Sequence, residues 1–245
     1  MADNRKLVEV IEKKEVKFNK PIAIAGFAGP GLVGTIAVNY IIEKLGMREI
    51  GHISSRLVPS YTIFIDGLLK YPLRAYSDDE GTLLAIVSDI PIPEGSYYDL
   101  AKGIMDWVES KKISEIVVLG GVHIEDKVDK MDIYAAAEPE VLEKLGSQGI
   151  KILARGIISG MSAAILNECL LRDITGICLL APTDVESPDP EASASLIEAL
   201  NAVYGFKIEV DTLVVEAENI KDKREKVVKN IEEDRKYDFS KQFYS

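Results

Sequence analysis

Short apolar runs alternate with amphipathic ones along most of this chain. Residues 21–27, PIAIAGF, are apolar without a break, at a length that suits a strand buried on both faces. From Leu32 to Leu45 the apolar positions Leu32, Ile36, Val38, Ile41, Ile42 and Leu45 recur at helical spacing, and Gly46 stands where helices commonly stop. Residues 47–54, MREIGHIS, predict a second strand. Residues 61–76, YTIFIDGLLKYPLRAY, set Asp66-Gly67 between two β-rich runs, which predicts a hairpin in which Gly67 takes a positive φ.

The alternation continues. Residues 82–89, TLLAIVSD, predict another all-apolar strand, followed by the stiff IPIPEG and a helix from about Ser96 to Ser110. Strands are expected at 115–121 (EIVVLGG), 151–156 (KILARG) and 176–182 (GICLLAP), with helices near 138–146 and 161–171 between them. Asp189-Pro190-Glu191 opens a further helix, with Asp as N-cap and Pro at the first helical position. A last long helix is expected from near Asp211 to about Glu233, with Leu213, Val214, Ala217, Ile220, Val227, Val228 and Ile231 on its apolar face.

Strands of this kind separated by helices make an α/β fold, a mainly parallel sheet covered by helices on both faces, with the β-hairpin as an added antiparallel element. No internal repeat, low-complexity tract or dividing linker interrupts the pattern. The expectation is a single α/β domain over 1–234, including the C-terminal helix, and a flexible tail over 235–245.

Composition narrows the function classes. The 245 residues carry a net charge of −11, which argues against a nucleic-acid partner, because binding phosphates needs a basic surface. Cys169 and Cys178 are the two cysteines, without a C-x-x-C spacing, so neither a disulfide framework nor a structural zinc site is expected. The charged N-terminus lacks the apolar core of a secretory signal, and no apolar run approaches the roughly 20 residues of a membrane helix. The reading is a cytoplasmic protein with no membrane association.

Candidate chemistry starts at GFAGPGLVG (26–34). Gly29, Gly31 and Gly34 satisfy G-x-G-x-x-G between a strand and a helix, the dinucleotide fingerprint. The fingerprint also calls for a carboxylate on the ribose at the end of the second strand, where His52 to Ser55 offer none. Pro30 removes a backbone N–H that a pyrophosphate would use. A tight strand-to-helix turn is the better reading, and no cofactor is expected. GIISGMS (156–162) lacks the G-x-S-x-G elbow, so acyl transfer finds no motif. A small-molecule hydrolase or phosphorylase-like enzyme is the alternative, drawn from Asp89, Glu94, His123 and Ser159 near strand ends, although their spacing does not demand it. No metal-ligand spacing is present.

Several segments together resemble the proteasome assembly chaperones and their archaeal homologues: GFAGPGLVGTIAVNYIIEKLG, VVLGGV, ARGIISGMSAAIL and LLAPTDVESPDPEASASLIEALNAVYGFKIEVDTLVVEA. The resemblance runs from roughly residue 20 to 220. It implies a phosphorylase/hydrolase-like α/β sandwich without catalysis that self-associates as a homo-oligomer. It assigns Gly29, Pro30, Gly31 and Gly34 to the fold and its subunit contacts instead of to a cofactor.

The C-terminus ends Phe243-Tyr244-Ser245. This resembles the hydrophobic–Tyr–any ending with which proteasome activators dock into pockets between α-subunits of the 20S ring. Phe243 and Tyr244 supply rigid apolar area with little side-chain entropy to lose, and a terminal carboxylate can pair with a pocket lysine. A random chain of this composition ends so about 2% of the time. Tyr237, Phe239, Phe243 and Tyr244 are nevertheless more aromatics than plain disorder carries. Extended, residues 235–245 reach about 35 Å. The sequence therefore points to a non-enzymatic, ATP-independent partner of 20S proteasome α-subunits, an assembly chaperone, an activator or both.

Overall fold

A computed structural model describes residues 7–65, 67–123, 132–183, 187–213 and 215. A nine-stranded sheet organises the chain. In chain order its strands are β1 (Val8–Glu12), β2 (Ile22–Gly26), β3 (Arg48–Ser55), β6 (Leu73–Ser77), β7 (Leu83–Ser88), β8 (Glu115–Val122), β9 (Tyr134–Ala136), β10 (Lys151–Ile152) and β11 (Thr175–Pro182). The two remaining strands, β4 (Ile63–Ile65) and β5 (Leu68–Lys70), form a separate antiparallel hairpin. The five helices are α1 (Val33–Lys44), α2 (Tyr97–Ser110), α3 (Pro139–Ser147), α4 (Gly160–Arg172) and α5 (Pro190–Tyr204).

The strand order is β1-β3-β6-β7-β2-β8-β11-β9-β10. Its centre, β7-β2-β8-β11, is parallel throughout, as the uninterrupted apolar runs predict. The flanks differ from the expectation. β1, β3, β6 and β7 pair antiparallel, as do β11 and β9, so the sheet is mixed. Helices α1 and α5 pack together on one face, and α2 and α4 on the other. The three layers enclose a core of completely buried Ala23, Ala25, Leu84, Ile86, Leu100, Ile104, Ile116 and Val118.

Local signals account for the element ends. Asp189 Oδ1 accepts from Ala192 N at 3.0 Å, the predicted cap of α5, and Gly205 closes that helix at φ 73°. Gly67 takes φ 77° in the hairpin turn. The run 68–76 does not form one strand. Pro72 lacks the ladder N–H, and the run divides there into β5 and the fully buried β6. The strand expected over 151–156 is only Lys151–Ile152, both exposed at the sheet edge. β1 lies in a segment that reads as merely charged, because Glu9 and Glu12 alternate with its apolar residues along an edge strand.

Residues up to Ile208 form one compact unit, and those from Glu209 onward belong to a second. Residues 211–213 are helical, where the last helix is expected to begin. The remainder of that helix, the boundary expected near 234 and the tail lie outside the described residues. No helix among the described residues is long and apolar enough to cross a membrane.

Candidate functional site

Because β7, β2, β8 and β11 run parallel, their carboxyl ends lie along one edge of the sheet. The chain leaves β2 for α1 on one face and β7 for α2 on the other. Adjacent strands that send their helices to opposite faces form a crevice where ligands commonly bind in such sheets. The glycine loop, Asp89 and His123 all stand along this edge.

In the glycine loop, close backbone approach governs residue choice. A Cβ on Gly34 would lie 2.1 Å from the carbonyl oxygen of Leu119 in β8, and one on Gly26 would lie 2.1 Å from the carbonyl oxygen of Gly34. These glycines let the first turn of α1 rest directly on β2 and β8. Gly31 takes φ 59°, and a Cβ there would meet Thr183 Oγ1 at 2.3 Å. Gly29, by contrast, is exposed and extended, with nothing nearer than 3.8 Å to its notional Cβ.

A carboxylate beside the loop opposes phosphate binding. The loop's carbonyls are engaged inward: Gly29 O accepts from Leu32 N at 2.9 Å, and Gly31 O accepts from Asp189 N at 2.8 Å. The Asp189 carboxylate stands beside the loop and accepts from Thr183 Oγ1 at 2.9 Å. A phosphate there would meet the negative charge of that carboxylate, and like charges brought together disfavour binding.

The four residues of the enzyme alternative share this end of the sheet without forming a constellation. The axes of β7 and β8, which lead to Asp89 and His123, flank β2 and so stand about 10 Å apart. Glu94 is exposed in the turn before α2, Ser159 is exposed just before α4, and His123 is exposed after β8. Among the described residues, no hydrogen bond or ion pair joins any two of the four. Nor do any three His, Cys, Asp or Glu among the described residues gather as a metal-binding group.

Asp89 is committed elsewhere, to residues that the sequence reading missed. Its Oδ2 lies 2.6 Å from Nη1 of Arg74, a completely buried guanidinium on β6, and its Oδ1 accepts from Asn39 Nδ2 at 2.9 Å. Arg74 also donates from Nε to the Tyr76 hydroxyl at 2.7 Å and from Nη1 to the Tyr71 carbonyl at 2.8 Å. Asp89 thus neutralises a cation that the core could not otherwise hold. One sequence signal was available: an arginine inside the apolar LRAY run is anomalous for a buried strand.

The same cluster anchors the base of the β4–β5 hairpin. The Tyr71 ring stacks on buried His52 of β3, with ring centres 3.6 Å apart and planes 9° from parallel. Lys70 Nζ bonds Glu49 Oε2 at 2.7 Å, and Lys13 bonds the other oxygen of Glu49. Burial opposes ionisation of Glu49, but the two lysines outweigh it and hold its carboxyl below the usual range. Burial, reinforced by nearby Lys13, lowers the His52 pKa, and neither ring nitrogen has a hydrogen-bond partner among the described residues. His52 is therefore a neutral stacking platform.

The expected docking residues Phe243, Tyr244 and Ser245 lie outside the described residues.

Comparison with known proteins agrees with this architecture. Residues 23–228 match the PAC2 family. The chain is 32% identical over 223 residues to the uncharacterized protein MJ0106 of Methanocaldococcus jannaschii, covering 91% of this chain and 90% of that one. Among solved structures it is similar to Pyrococcus furiosus PbaA, described as an archaeal homolog of proteasome-assembly chaperone. Identity to PbaA is 30%, TM-score 0.82, and coverage 94% of this chain and 95% of that chain. It shares its fold with Pyrococcus furiosus PbaB, described as an archaeal proteasome activator, at 21% identity and TM-score 0.78, covering 91% of this chain and 99% of that one.

Proposed function

The chain belongs to the PAC2 family, and from that premise we propose that it is a non-enzymatic, ATP-independent, cytoplasmic partner of the 20S proteasome. It self-associates and docks Phe243-Tyr244-Ser245 into pockets between neighbouring α-subunits, as an assembly chaperone, a gate-opening activator or both. The observation that carries this reading is the near full-length likeness to PbaA, a proteasome-assembly-chaperone homolog. The sequence of the last three residues supports the mode of docking. Two further features favour an interaction over chemistry: the Asp89 carboxylate is spent on Arg74, and the Asp189 carboxylate stands beside the glycine loop where a phosphate would sit.

A single short tail binds weakly, since ordering it costs conformational entropy. Several tails on one oligomer multiply affinity by about a hundredfold or more, so self-association and docking belong to one mechanism. Occupied inter-subunit pockets would then bias a ring toward an open gate.

The test is capture of purified 20S particles by the full chain, by a chain lacking Phe243–Ser245, and by Tyr244→Ala. Both variants are expected to lose capture while keeping the wild-type mass and circular dichroism. Undiminished capture by the truncated chain would refute tail docking.

A further inference from the structure

The β4–β5 hairpin stands apart from the main sheet, and its register sorts its apolar residues into two exposed pairs. Phe64 faces Leu69 across the ladder, and Ile65 faces Leu68. Successive strand residues point to opposite faces, so one pair lies on each face of the ribbon. Phe64 and Leu69 are 75% and 78% exposed and Leu68 is 63% exposed; Ile65 and Tyr61 are exposed as well. Among the described residues of the same subunit, none covers either face.

An isolated two-stranded ribbon is marginally stable in water, and exposed apolar strand edges invite pairing. Here the base is held firmly, by Tyr71 on His52, by the Arg74 bond to the Tyr71 carbonyl and by Lys70 on Glu49. An apolar tip on a rigid stem is preorganised for association, because little further ordering is needed.

We propose that this hairpin is the surface through which two copies of the chain associate, each hairpin covering the apolar pairs of the other. Charge and area point to that occupant. The chain carries −11 overall, so copies repel over most of their surface. Residues 57–72, LVPSYTIFIDGLLKYP, hold one Asp and one Lys and are locally neutral, so copies can meet there without apposing acidic surfaces. A basic partner would gain nothing from this neutral stretch. Over the two faces of the ribbon together, Tyr61, Phe64, Ile65, Leu68 and Leu69 expose on the order of 600 Å² of largely apolar surface, so an interface that clasps both faces reaches most of the ~800 Å² each partner gives to a standard one. This assignment deepens the self-association in the proposed function and rests on that part of it alone.

The experiment is light scattering and sedimentation of the full chain beside Phe64→Ser/Leu69→Ser, with circular dichroism and Trp107 emission reporting the fold. The wild type is expected as an oligomer and the double variant at the 27.0 kDa of one chain, both equally folded. A wild type that is monomeric at tens of micromolar overturns self-association and hairpin pairing together. An oligomeric wild type whose folded variant keeps its mass overturns the hairpin alone. A variant that keeps its mass but loses 20S capture puts a foreign protein on the hairpin and also overturns the second-copy assignment.

Leu69→Cys gives an independent readout, since Cys169 and Cys178 are buried. A short bismaleimide is expected to link the variant into a dimer across two hairpins. Absence of linkage in an oligomeric sample would count against the interface.

Discussion

Three glycines of the GFAGPGLVG loop should respond to alanine in different ways, and that difference separates an architectural loop from a ligand cradle. In Gly34→Ala the new methyl would lie 2.1 Å from Leu119 O and 2.9 Å from its carbonyl carbon, where ordinary contact begins at 3.4 Å. Both obstacles are backbone, so no rotamer change relieves them, and the start of α1 must retreat by roughly 1 Å. Val33, Ala37, Val38 and Ile41 of that helix are completely buried, and a gap of ~0.5–1 Å forfeits a quarter to a half of each facing contact. Overpacking that side chains can absorb costs about 1–3 kcal/mol. Here the expected loss is about 3 kcal/mol or more, a drop in Tm of about 6–12 °C for a chain of this size.

Gly31→Ala combines a positive φ, worth about 1–2 kcal/mol against a non-glycine residue, with the 2.3 Å approach to Thr183 Oγ1, and should also destabilise clearly. Gly29→Ala meets nothing within 3.8 Å on an extended backbone. It should be neutral, or more stable by up to about 1 kcal/mol through a less flexible unfolded chain. The assay is urea unfolding followed by circular dichroism and by the emission of Trp107, the single tryptophan, which is buried and bonded to Glu12. Protomer concentration must be held constant, because self-association would add to apparent stability. The reasoning fails if Gly34→Ala unfolds within about 1 kcal/mol of wild type, or if Gly29→Ala is as damaging as Gly34→Ala.

Two further outcomes follow from the buried cluster. Asp89→Asn leaves the completely buried Arg74 without its counter-charge and should cost about 3–5 kcal/mol in the same unfolding assay; a loss under 1 kcal/mol would show that the ion pair does not hold the β6–β7 region together. His52 has a lowered pKa in the folded state, so the unfolded chain takes up the proton first. Stability should therefore be complete above the unfolded pKa of about 6.5 and decline as pH falls from there toward the folded pKa. His52→Phe, which keeps a flat ring against Tyr71, should flatten that decline, while Glu49 contributes a separate loss nearer the carboxylate range as its depressed pKa is approached. An unchanged pH slope in His52→Phe would rule out burial of a neutral imidazole as its source.

Much of this molecule is legible in its residues taken in order. The parallel centre follows from runs such as PIAIAGF and TLLAIVSD, and the hairpin turn from Asp66-Gly67. The start of α5 follows from Asp189-Pro190, because periodicity, turn chemistry and capping act between near neighbours. The resemblance to the PAC2 family was also readable, since order and spacing of whole segments carry it. Tertiary structure decided the rest. Strand order made the sheet mixed and exposed both faces of the β4–β5 ribbon, which no local pattern in YTIFIDGLLKYPLRAY announces. Asp89 looked like a free strand-end carboxylate until Arg74, fifteen residues earlier, and Asn39, fifty residues earlier, were folded against it. Gly34 and Gly29 sit in one fingerprint and look equivalent. Only the carbonyl of Leu119, eighty-five residues away in sequence, makes one of them irreplaceable, because close approach is a property of packed backbones and leaves no mark on local composition.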